Sequence, residues 1–264
     1  MAVSFGCATA HAQYRPAVVD VNNEFGMAAQ AFLQSYSETY NGTTPDKEHG
    51  VIPGVAVKAT GMFDLYGVSN LYAGAHYQYD RGAVTYNGAF LNGTPLNAST
   101  NYTTTDVGLE LGKGFLITDG ILITPLVEGG WHAWERNLGR GQVENYSHDY
   151  VGAGVRGDLA VTARLVLTGK VGAGAIIDPG MTSVADPAAG LPRMSFNLGM
   201  RPYYEAGLGA DYKFDIVFTM LHLYGGVDFT HFSYGASAAN QYGFLEPDSA
   251  SNQVLFQLGL AVGL

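Results

Sequence analysis

Apolar residues recur at nearly every second position through most of this chain. In the stretch 105–137, Val107, Leu109 and Leu111 share one parity, while the positions between them include Glu110. Successive side chains of a β-strand point to opposite faces, so this alternation predicts strands with one apolar and one polar face. No window shows the 3.6-residue period of an amphipathic helix. The chain is therefore expected to be all-β.

The alternating segments are too long for an ordinary soluble sheet. Most of them span ten to fourteen residues, whereas strands of soluble proteins average about five or six. A tilted strand needs about 9–11 residues to cross a bilayer, so these lengths favour a membrane. We predict ten strands, near residues 27–40, 51–64, 70–79, 104–116, 121–134, 148–160, 163–176, 200–213, 216–232 and 252–264.

The connections between these segments are short and long in turn. Short turns, such as "ITDG" at 117–120, follow the second, fourth, sixth and eighth strands. The other connections are long and polar, and the longest covers residues 80–103. Short turns at one rim and long loops at the other are typical of outer-membrane barrels. An even strand number also places both termini at the short-turn rim, which is periplasmic.

The polar face of these strands carries many charges, and the chain offers no second apolar layer to cover the other face. We therefore expect the apolar face to meet lipid and the polar face to line a lumen. The sheet must then close, because an open edge would leave backbone groups unpaired in lipid. The prediction is a closed antiparallel up-and-down transmembrane β-barrel, with ten strands favoured over eight or twelve. Its predicted lumen charge network is Lys58, Glu110, Glu128, Arg156, Asp158, Arg164, Lys170, Glu205, Asp211 and Asp228.

Outward aromatic residues and the last strand support a membrane location. Trp131, Tyr204 and Tyr212 share the outward parity near strand ends, where an aromatic girdle belongs. The terminal segment "VLFQLGLAVGL" has a polar-x-Gly-x-x-hydrophobic-x-hydrophobic spacing, carried by Gln257, Gly259, Val262 and Leu264.

This spacing is similar to the signal that the barrel-assembly machinery reads. On these features, the chain after residue 26 resembles the small outer-membrane β-barrels of Gram-negative bacteria, with about ten strands. The resemblance implies a multi-pass β-strand protein of the bacterial outer membrane, surrounded by its lipids and inserted by the assembly machinery. The final Leu264 departs from the family, which usually ends in Phe or another aromatic residue.

The first residues predict an exported protein. Residues 1–12 look like the remnant of a signal peptide that ends in an A-x-A-like site. Its basic region is missing, so the true start is expected further upstream; a disordered N-terminus is the alternative. Residues 13–26 are expected to be a periplasmic lead-in and residues 27–264 the barrel. The only cysteine, Cys7, lies in the segment that would be removed.

The composition limits the choice of partners and function. The net charge of −10 argues against a nucleic-acid partner, because phosphate binding depends on Lys and Arg. About eight strands leave a lumen that side chains can fill, and ten leave slightly more room. We expect a monomer with a structural or surface-interaction role, a lumen filled by ion pairs, and external loops that offer a place for a ligand. A narrow porin for small solutes is the alternative.

A third hypothesis concerns the outer rim. His231 and Ser233 share the outward parity of their strand, and Asn252 has the same parity on the next strand. A serine, a base and a group that orients the base are the elements of nucleophilic catalysis. The His-x-Ser arrangement is similar to that of the lipid A deacylases and of outer-membrane phospholipase A, which implies an esterase acting on membrane lipids. Tyr234 stands where those families typically have Asn.

We prefer the interpretation that His231 and Ser233 are ordinary residues of the membrane interface and the loop entry, so no enzyme is predicted. The Asp-x-His pair of the ten-stranded omptin proteases has no equivalent in the sequence. The histidines are scattered, and none has the spacing of a metal-ligand motif. Neither a metal nor another cofactor is expected.

Overall fold

A computed structural model describes residues 16–89, 94–139, 142–184, 192–216 and 219–264. The signal peptide predicted for residues 1–12 and the first part of the lead-in lie outside these residues. The described residues form α1 (Ala17–Asp20), β1 (Glu24–Tyr40), β2 (Thr43–Leu65), β3 (Val68–Ala89), β4 (Pro95–Lys113), β5 (Phe115–Thr118), β6 (Ile121–Gly139), β7 (Gln142–Ala160), β8 (Leu165–Ser183), β9 (Met194–Asn197), β10 (Pro202–Ile216), β11 (Thr219–Tyr234) and β12 (Asp248–Gly263).

These segments make a closed barrel of ten antiparallel strands. β5 continues the line of β4 and pairs with β6, while β9 is a short segment paired with the outer end of β8. β12 closes the ring on β1 in a register that runs from Glu24↔Gly263 to Thr39↔Asp248. The predicted fold class is confirmed, including the strand number. Among the described residues, each of the ten long strands pairs with a neighbour on both sides, while the short segments β5 and β9 each pair with one strand.

An apolar band surrounds the barrel on its outer surface. On β1 the outward residues are apolar from Phe25 to Leu33 and become Ser35 and Ser37 beyond that point. The same change occurs on β7, where the outward residues are apolar from Leu159 up to Val151 and polar at Asp149 and Ser147. A band of about nine residues per strand matches the hydrocarbon core that tilted strands must cross. We call this the apolar band.

The predicted girdle residues lie on the outer surface. Trp131, Tyr204 and Tyr212 are 43%, 51% and 37% exposed. Trp131 pairs with Asp149 and Tyr204 with His231, so both lie at the upper margin of the apolar band. Tyr212 is nearer the short-turn end, where it contacts Phe214.

Several strands extend beyond the apolar band on the long-loop side. β2 and β3 have 23 and 22 residues, and they are longer than the predicted segments 51–64 and 70–79. Their outer ends pair in register, for example Lys47↔Asn87. Polar side chains do not prevent backbone pairing, since ladder hydrogen bonds are independent of side-chain character. The segments predicted as loops therefore begin as strands above the membrane.

The residues before β1 enter the barrel. The lead-in was predicted for residues 13–26, but β1 begins at Glu24, and Pro16–Asn23 fold into the short-turn end of the lumen. Val18 is fully buried there. The small and β-branched residues of α1 fit the mouth of the barrel, and their burial removes apolar surface from water. Among the described residues, no helix is long and apolar enough to cross a bilayer.

Candidate functional site in the barrel lumen

The lumen contains three layers of side chains, from the short-turn end to the long-loop end. The inner closure consists of Pro16–Asn23 and the lumen residues that pack against them. The central cavity lies at the level of the apolar band. The outer closure is a layer of aromatic side chains around Arg136, above the band.

The inner closure combines apolar packing with hydrogen bonds. Ala17, Val18, Val19 and Val21 pack against inward residues of four strands, namely Met62, Tyr72, Leu122, Leu126 and Val166. Asn22 donates from Nδ2 to Asp158 Oδ2 at 3.0 Å. Asp158 is buried and also accepts from Arg156 and Thr168. Lys213 pairs with Asp20 at 3.0 Å, so the helix is attached to the barrel wall by charge as well as by packing.

The central cavity has a volume of about 340 Å³. Lys170 lines this cavity, with Nζ at 2.6 Å from Glu110, 2.7 Å from Glu128 and 2.7 Å from Glu205. Tyr203 donates its hydroxyl hydrogen to Glu128. One ammonium group therefore holds three carboxylates together, as buried charges require partners to remain ionised.

A histidine cluster lies at the outer end of the cavity. Asp106 receives hydrogen bonds from His76 at 2.8 Å and from His132 at 3.2 Å. The rings of His132 and His148 pack with their centroids 5.1 Å apart, and His148 Nδ1 lies 2.8 Å from the hydroxyl of Tyr234. This cluster is not among the sites predicted from the sequence. Inward parity of these side chains on adjacent strands was the signal available.

The outer closure is built around one buried arginine. Arg136 is 2% exposed. Its guanidinium donates to Glu38, Glu48 and Glu144, each at 2.8 Å. Trp134 packs edge-on against Tyr36 at 5.0 Å and stacks on Tyr146 at 4.8 Å. The aromatic residues of this layer are Tyr36, Tyr102, Trp134, Tyr146, Phe232 and Tyr234.

Burial also shifts the titration of the acids in the outer closure, which lies beyond the apolar band. Burial raises the pKa of Glu38 to about 7, although the charge of Arg136 acts in the opposite direction. Glu246 lies in the connection between β11 and β12, within 3.4 Å of the Tyr146 hydroxyl. Burial, together with the charge of Glu144, raises the pKa of Glu246 to about 8. The outer closure therefore contains more carboxyl groups than Arg136 can neutralise.

The structure distributes the predicted lumen charges among several clusters. Lys58 pairs with Glu24 at 2.5 Å, and Asp211 lies 2.6 Å from His222. Asp228 lines the central cavity, and Arg156 pairs with Asp158 at 3.1 Å. The remaining members, Glu110, Glu128, Lys170 and Glu205, form one ion cluster that lines the central cavity.

The predicted lumen position of Arg164 is wrong, because Arg164 lies in an exposed turn. The predicted strand 163–176 begins later, at Leu165, since Val161–Arg164 make the turn between β7 and β8. Val161 N donates to Leu165 O at 2.9 Å across this turn.

The residues of the rim hypothesis are partly assembled. His231 and Asn252 are cross-strand partners, and His231 Nδ1 lies 2.9 Å from Asn252 Oδ1. His231 also stacks on Tyr204 with a centroid distance of 6.3 Å. In the described part of the chain, no hydrogen bond joins Ser233 to His231. The structure therefore brings His231 and Asn252 together, and among the described residues Ser233 makes no hydrogen bond to this pair.

The residues of the terminal signal occupy both faces of β12. Gln257 points into the lumen and donates to Gln30 at 3.1 Å. Gly259 is buried on the same face, where an added Cβ would lie 2.4 Å from the backbone oxygen of Met27. Val262 and Leu264 are exposed on the outer surface.

The sequence matches no protein-family model and no curated relative. Solved structures similar to the chain are outer-membrane β-barrels. The translocator domain of the autotransporter NalP from Neisseria meningitidis is 14% identical, with a TM-score of 0.43 over 93% of this chain and 91% of that one. OprG from Pseudomonas aeruginosa is 8% identical, with a TM-score of 0.38 over 92% and 96%. Ail of Yersinia pestis is 10% identical, with a TM-score of 0.28 over 91% and 99%. None of these similarities bears on function.

Proposed function

We propose that this chain is an integral outer-membrane protein whose sealed barrel is a rigid scaffold that presents its long loops at the cell surface. The observation that carries the proposal is the pair of closures on either side of the central cavity. The inner closure occupies the periplasmic end of the lumen, and the outer closure lies above the apolar band. A solute would have to displace both layers to pass through.

The outer closure resists displacement because its polar groups are buried and paired. Moving Arg136 away from Glu38, Glu48 and Glu144 would leave three carboxylates without their cation in a site of low dielectric. Charge-assisted hydrogen bonds in such surroundings are about twice as strong as neutral ones. The stacked aromatic rings fill the space between these charges and the barrel wall. Such a layer is suited to rigidity and poorly suited to rapid gating.

The extended strands support a role at the surface. β2, β3, β6 and β7 continue past the apolar band, so the connecting loops stand on a paired sheet outside the membrane. Loops on a rigid scaffold often carry binding, and these are the favoured place for an external ligand. Outer-membrane lipids would surround the apolar band, and the assembly machinery would insert the barrel as a monomer.

Conductance across a planar bilayer tests the sealed lumen. The wild-type barrel is expected to give no reproducible current steps. A variant that removes both closures, with residues 16–22 deleted and Tyr36 and Trp134 replaced by Ala, is expected to conduct. A variant with only the deletion of 16–22, and a variant with only the two Ala substitutions, should each give no current, because the other closure still blocks the lumen. Regular steps from the folded wild type would contradict the proposal.

A narrow porin is the second candidate, and the polar cavity of about 340 Å³ favours it. A cavity of this size holds a small solute, with Lys170 and its carboxylates as polar contacts. If the closures open under a membrane potential, the wild type should conduct and Lys170→Met should change its ion selectivity. The matched control is Arg81→Met, an exposed residue above the apolar band.

The rim esterase is a third candidate, supported by the hydrogen bond between His231 and Asn252. Refolded protein would hydrolyse a phospholipid ester, and Ser233→Ala would abolish the reaction. Ser147→Ala is the control, since Ser147 is also an outward serine above the band and lies on β7, away from His231 and Asn252. Equal inactivity of wild type and both variants would leave the non-enzymatic proposal in place.

A further inference from the structure

Three metal-ligating side chains meet in the lumen next to the inner closure. Glu24 begins β1, Asp211 lies on β10 and His222 lies on β11. His222 Nδ1 is 2.6 Å from Asp211 Oδ1 and 3.8 Å from Glu24 Oε2. One ligand atom from each side chain can be chosen so that all three lie within 4.8 Å of one another. Glu24 is far in sequence from Asp211 and His222, and these two are 11 residues apart on neighbouring strands, so no short spacing motif indicates the cluster.

The cluster has buried polar atoms that lack partners. Glu24, Asp211 and His222 are 1%, 6% and 0% exposed. Glu24 Oε2, Asp211 Oδ2 and His222 Nε2 have no hydrogen-bond partner within the described residues. Oε2 is also the oxygen of Glu24 that faces His222. Buried polar atoms are nearly always satisfied, so the unpartnered Glu24 oxygen beside His222 indicates a missing positive ligand.

The charges around the cluster favour a cation. Lys58 pairs with Glu24 at 2.5 Å, and Lys213 pairs with Asp20 at 3.0 Å. Asp211 has no lysine partner of its own among the described residues. Glu24, Asp20 and Asp211, taken together with Lys58 and Lys213, therefore keep one excess negative charge when His222 is neutral. An anion would add to this excess. A cation bound between the two carboxylates and the imidazole would offset it.

We propose that Glu24, Asp211 and His222 bind a divalent first-row transition metal ion, with Zn²⁺ as the preferred case. A neutral imidazole nitrogen and two carboxylate oxygens form a ligand set that such ions accept. Bonds of about 2.0–2.2 Å in a tetrahedral site separate ligand atoms by roughly 3.3 Å, and the two separations from Nδ1 lie on either side of that value. The ion would take the place of the proton shared by His222 and Asp211. Water would complete the coordination.

Such an ion would hold the barrel together at its seam. β1 and β12 close the ring, and β10 and β11 are the next strands on that side. The metal would join the first residue of β1 to β10 and β11, directly beside the inner closure. Lys58, already paired with the second oxygen of Glu24, would orient that carboxylate from outside the coordination sphere. This role is independent of whether the lumen conducts.

Metal binding by the whole refolded protein tests the proposal. After EDTA treatment and dialysis, the wild-type barrel should take up one Zn²⁺ per chain, measured by elemental analysis. Co²⁺ in the same site should give visible absorption bands typical of low coordination numbers. His222→Ala and Asp211→Asn should each weaken binding at least tenfold. His231→Ala is the control and should bind like the wild type, because His231 lies on the outer rim.

A second readout separates metal binding from failure to fold. The temperature at which the barrel changes its mobility on a detergent gel should rise with Zn²⁺ in the wild type and stay unchanged in His222→Ala. Variants that keep the mobility of the folded barrel but lose uptake support the site. Lack of stoichiometric uptake by the folded wild type, or equal uptake by folded His222→Ala, would overturn it.

Discussion

Arg136 is the residue on which the outer closure depends most directly. Its side chain is 3% exposed and contacts three glutamates. Arg136→Met keeps much of the apolar stem but leaves those carboxylates without a cation. Breaking a buried ion pair by removing one partner costs about 3–5 kcal/mol. We expect the free energy of unfolding in lipid vesicles to fall by that amount, as measured by urea titration.

The matched control replaces an arginine that is exposed on the outside of β3. Arg81→Met should change the free energy of unfolding by less than about 0.5 kcal/mol, as is usual for surface substitutions. Equal losses from the two variants would mean that the ion cluster around Arg136 adds no particular stability.

Glu246 makes the connection between β11 and β12 sensitive to pH. Its pKa is raised from 4.5 to about 8 by burial and by the charge of Glu144. The folded state therefore keeps a proton that the unfolded state releases. The protonated Glu246 side chain therefore stabilises the folded state fully below about pH 4.5, and this stabilisation is lost as the pH rises through 8. A nitroxide attached to Ala238→Cys in a Cys7→Ser background should gain mobility as the pH rises from about 6 to 9.

Glu246→Gln provides the comparison for this titration. The amide is neutral at every pH and keeps the shape of the protonated side chain. Nitroxide mobility in this variant should be independent of pH over the same range. If the pH dependence persists there, Glu246 is not its source.

At the scale of whole elements, the face of each strand could be read from the sequence, whereas the contacts inside the lumen could not. Period two places Glu110, Glu128 and Lys170 on the inner face of any barrel built from these strands. Which of them touch depends on strand register and on the stagger that closure imposes. Lys58 pairs with Glu24, a residue of the segment predicted to be the periplasmic lead-in.

Hydrophobic periodicity could not predict two elements, α1 and the outer end of β2. α1 has only four residues, too few to show a helical period, and its position depends on the width of the barrel mouth. The outer end of β2 is polar on both faces, so its alternation disappears where the membrane ends. Aromatic residues such as Tyr86 and Tyr102, both buried, were the available sign that ordered structure continues there.

The inner closure should detach as a unit when its packing is disrupted. Val18→Asp places a carboxylate at a fully buried position among apolar side chains. We expect the barrel to persist, because its wall is closed by backbone pairing without α1. Val19→Cys in a Cys7→Ser background provides a thiol in α1. This thiol should react with maleimide at least tenfold faster when Val18→Asp is also present than when Val18 is retained. Val18→Ala should leave the rate nearly unchanged.

At the scale of the whole molecule, the two tryptophans report which side of the barrel wall meets lipid. The sequence has two tryptophans, Trp131 and Trp134. Trp131 is 43% exposed at the margin of the apolar band, and Trp134 is 3% exposed inside the outer closure. Trp134→Phe leaves Trp131 as the only tryptophan of the sequence, and Trp131→Phe leaves Trp134. Brominated lipids quench a tryptophan that they touch, so they should quench the emission of Trp131 and spare that of Trp134.

The quenching pattern tests orientation and depth together. The three-residue separation puts the reporters on opposite sides of the same strand, so a barrel with its polar face toward lipid would reverse the result. Bromine near the headgroup should quench Trp131 more strongly than bromine near the end of the acyl chain, since aromatic girdles lie at the interface. Comparable quenching of both tryptophans would mean that lipid reaches the lumen or that the wall is not closed. The sealed scaffold requires one lipid-facing tryptophan and one protected tryptophan on β6.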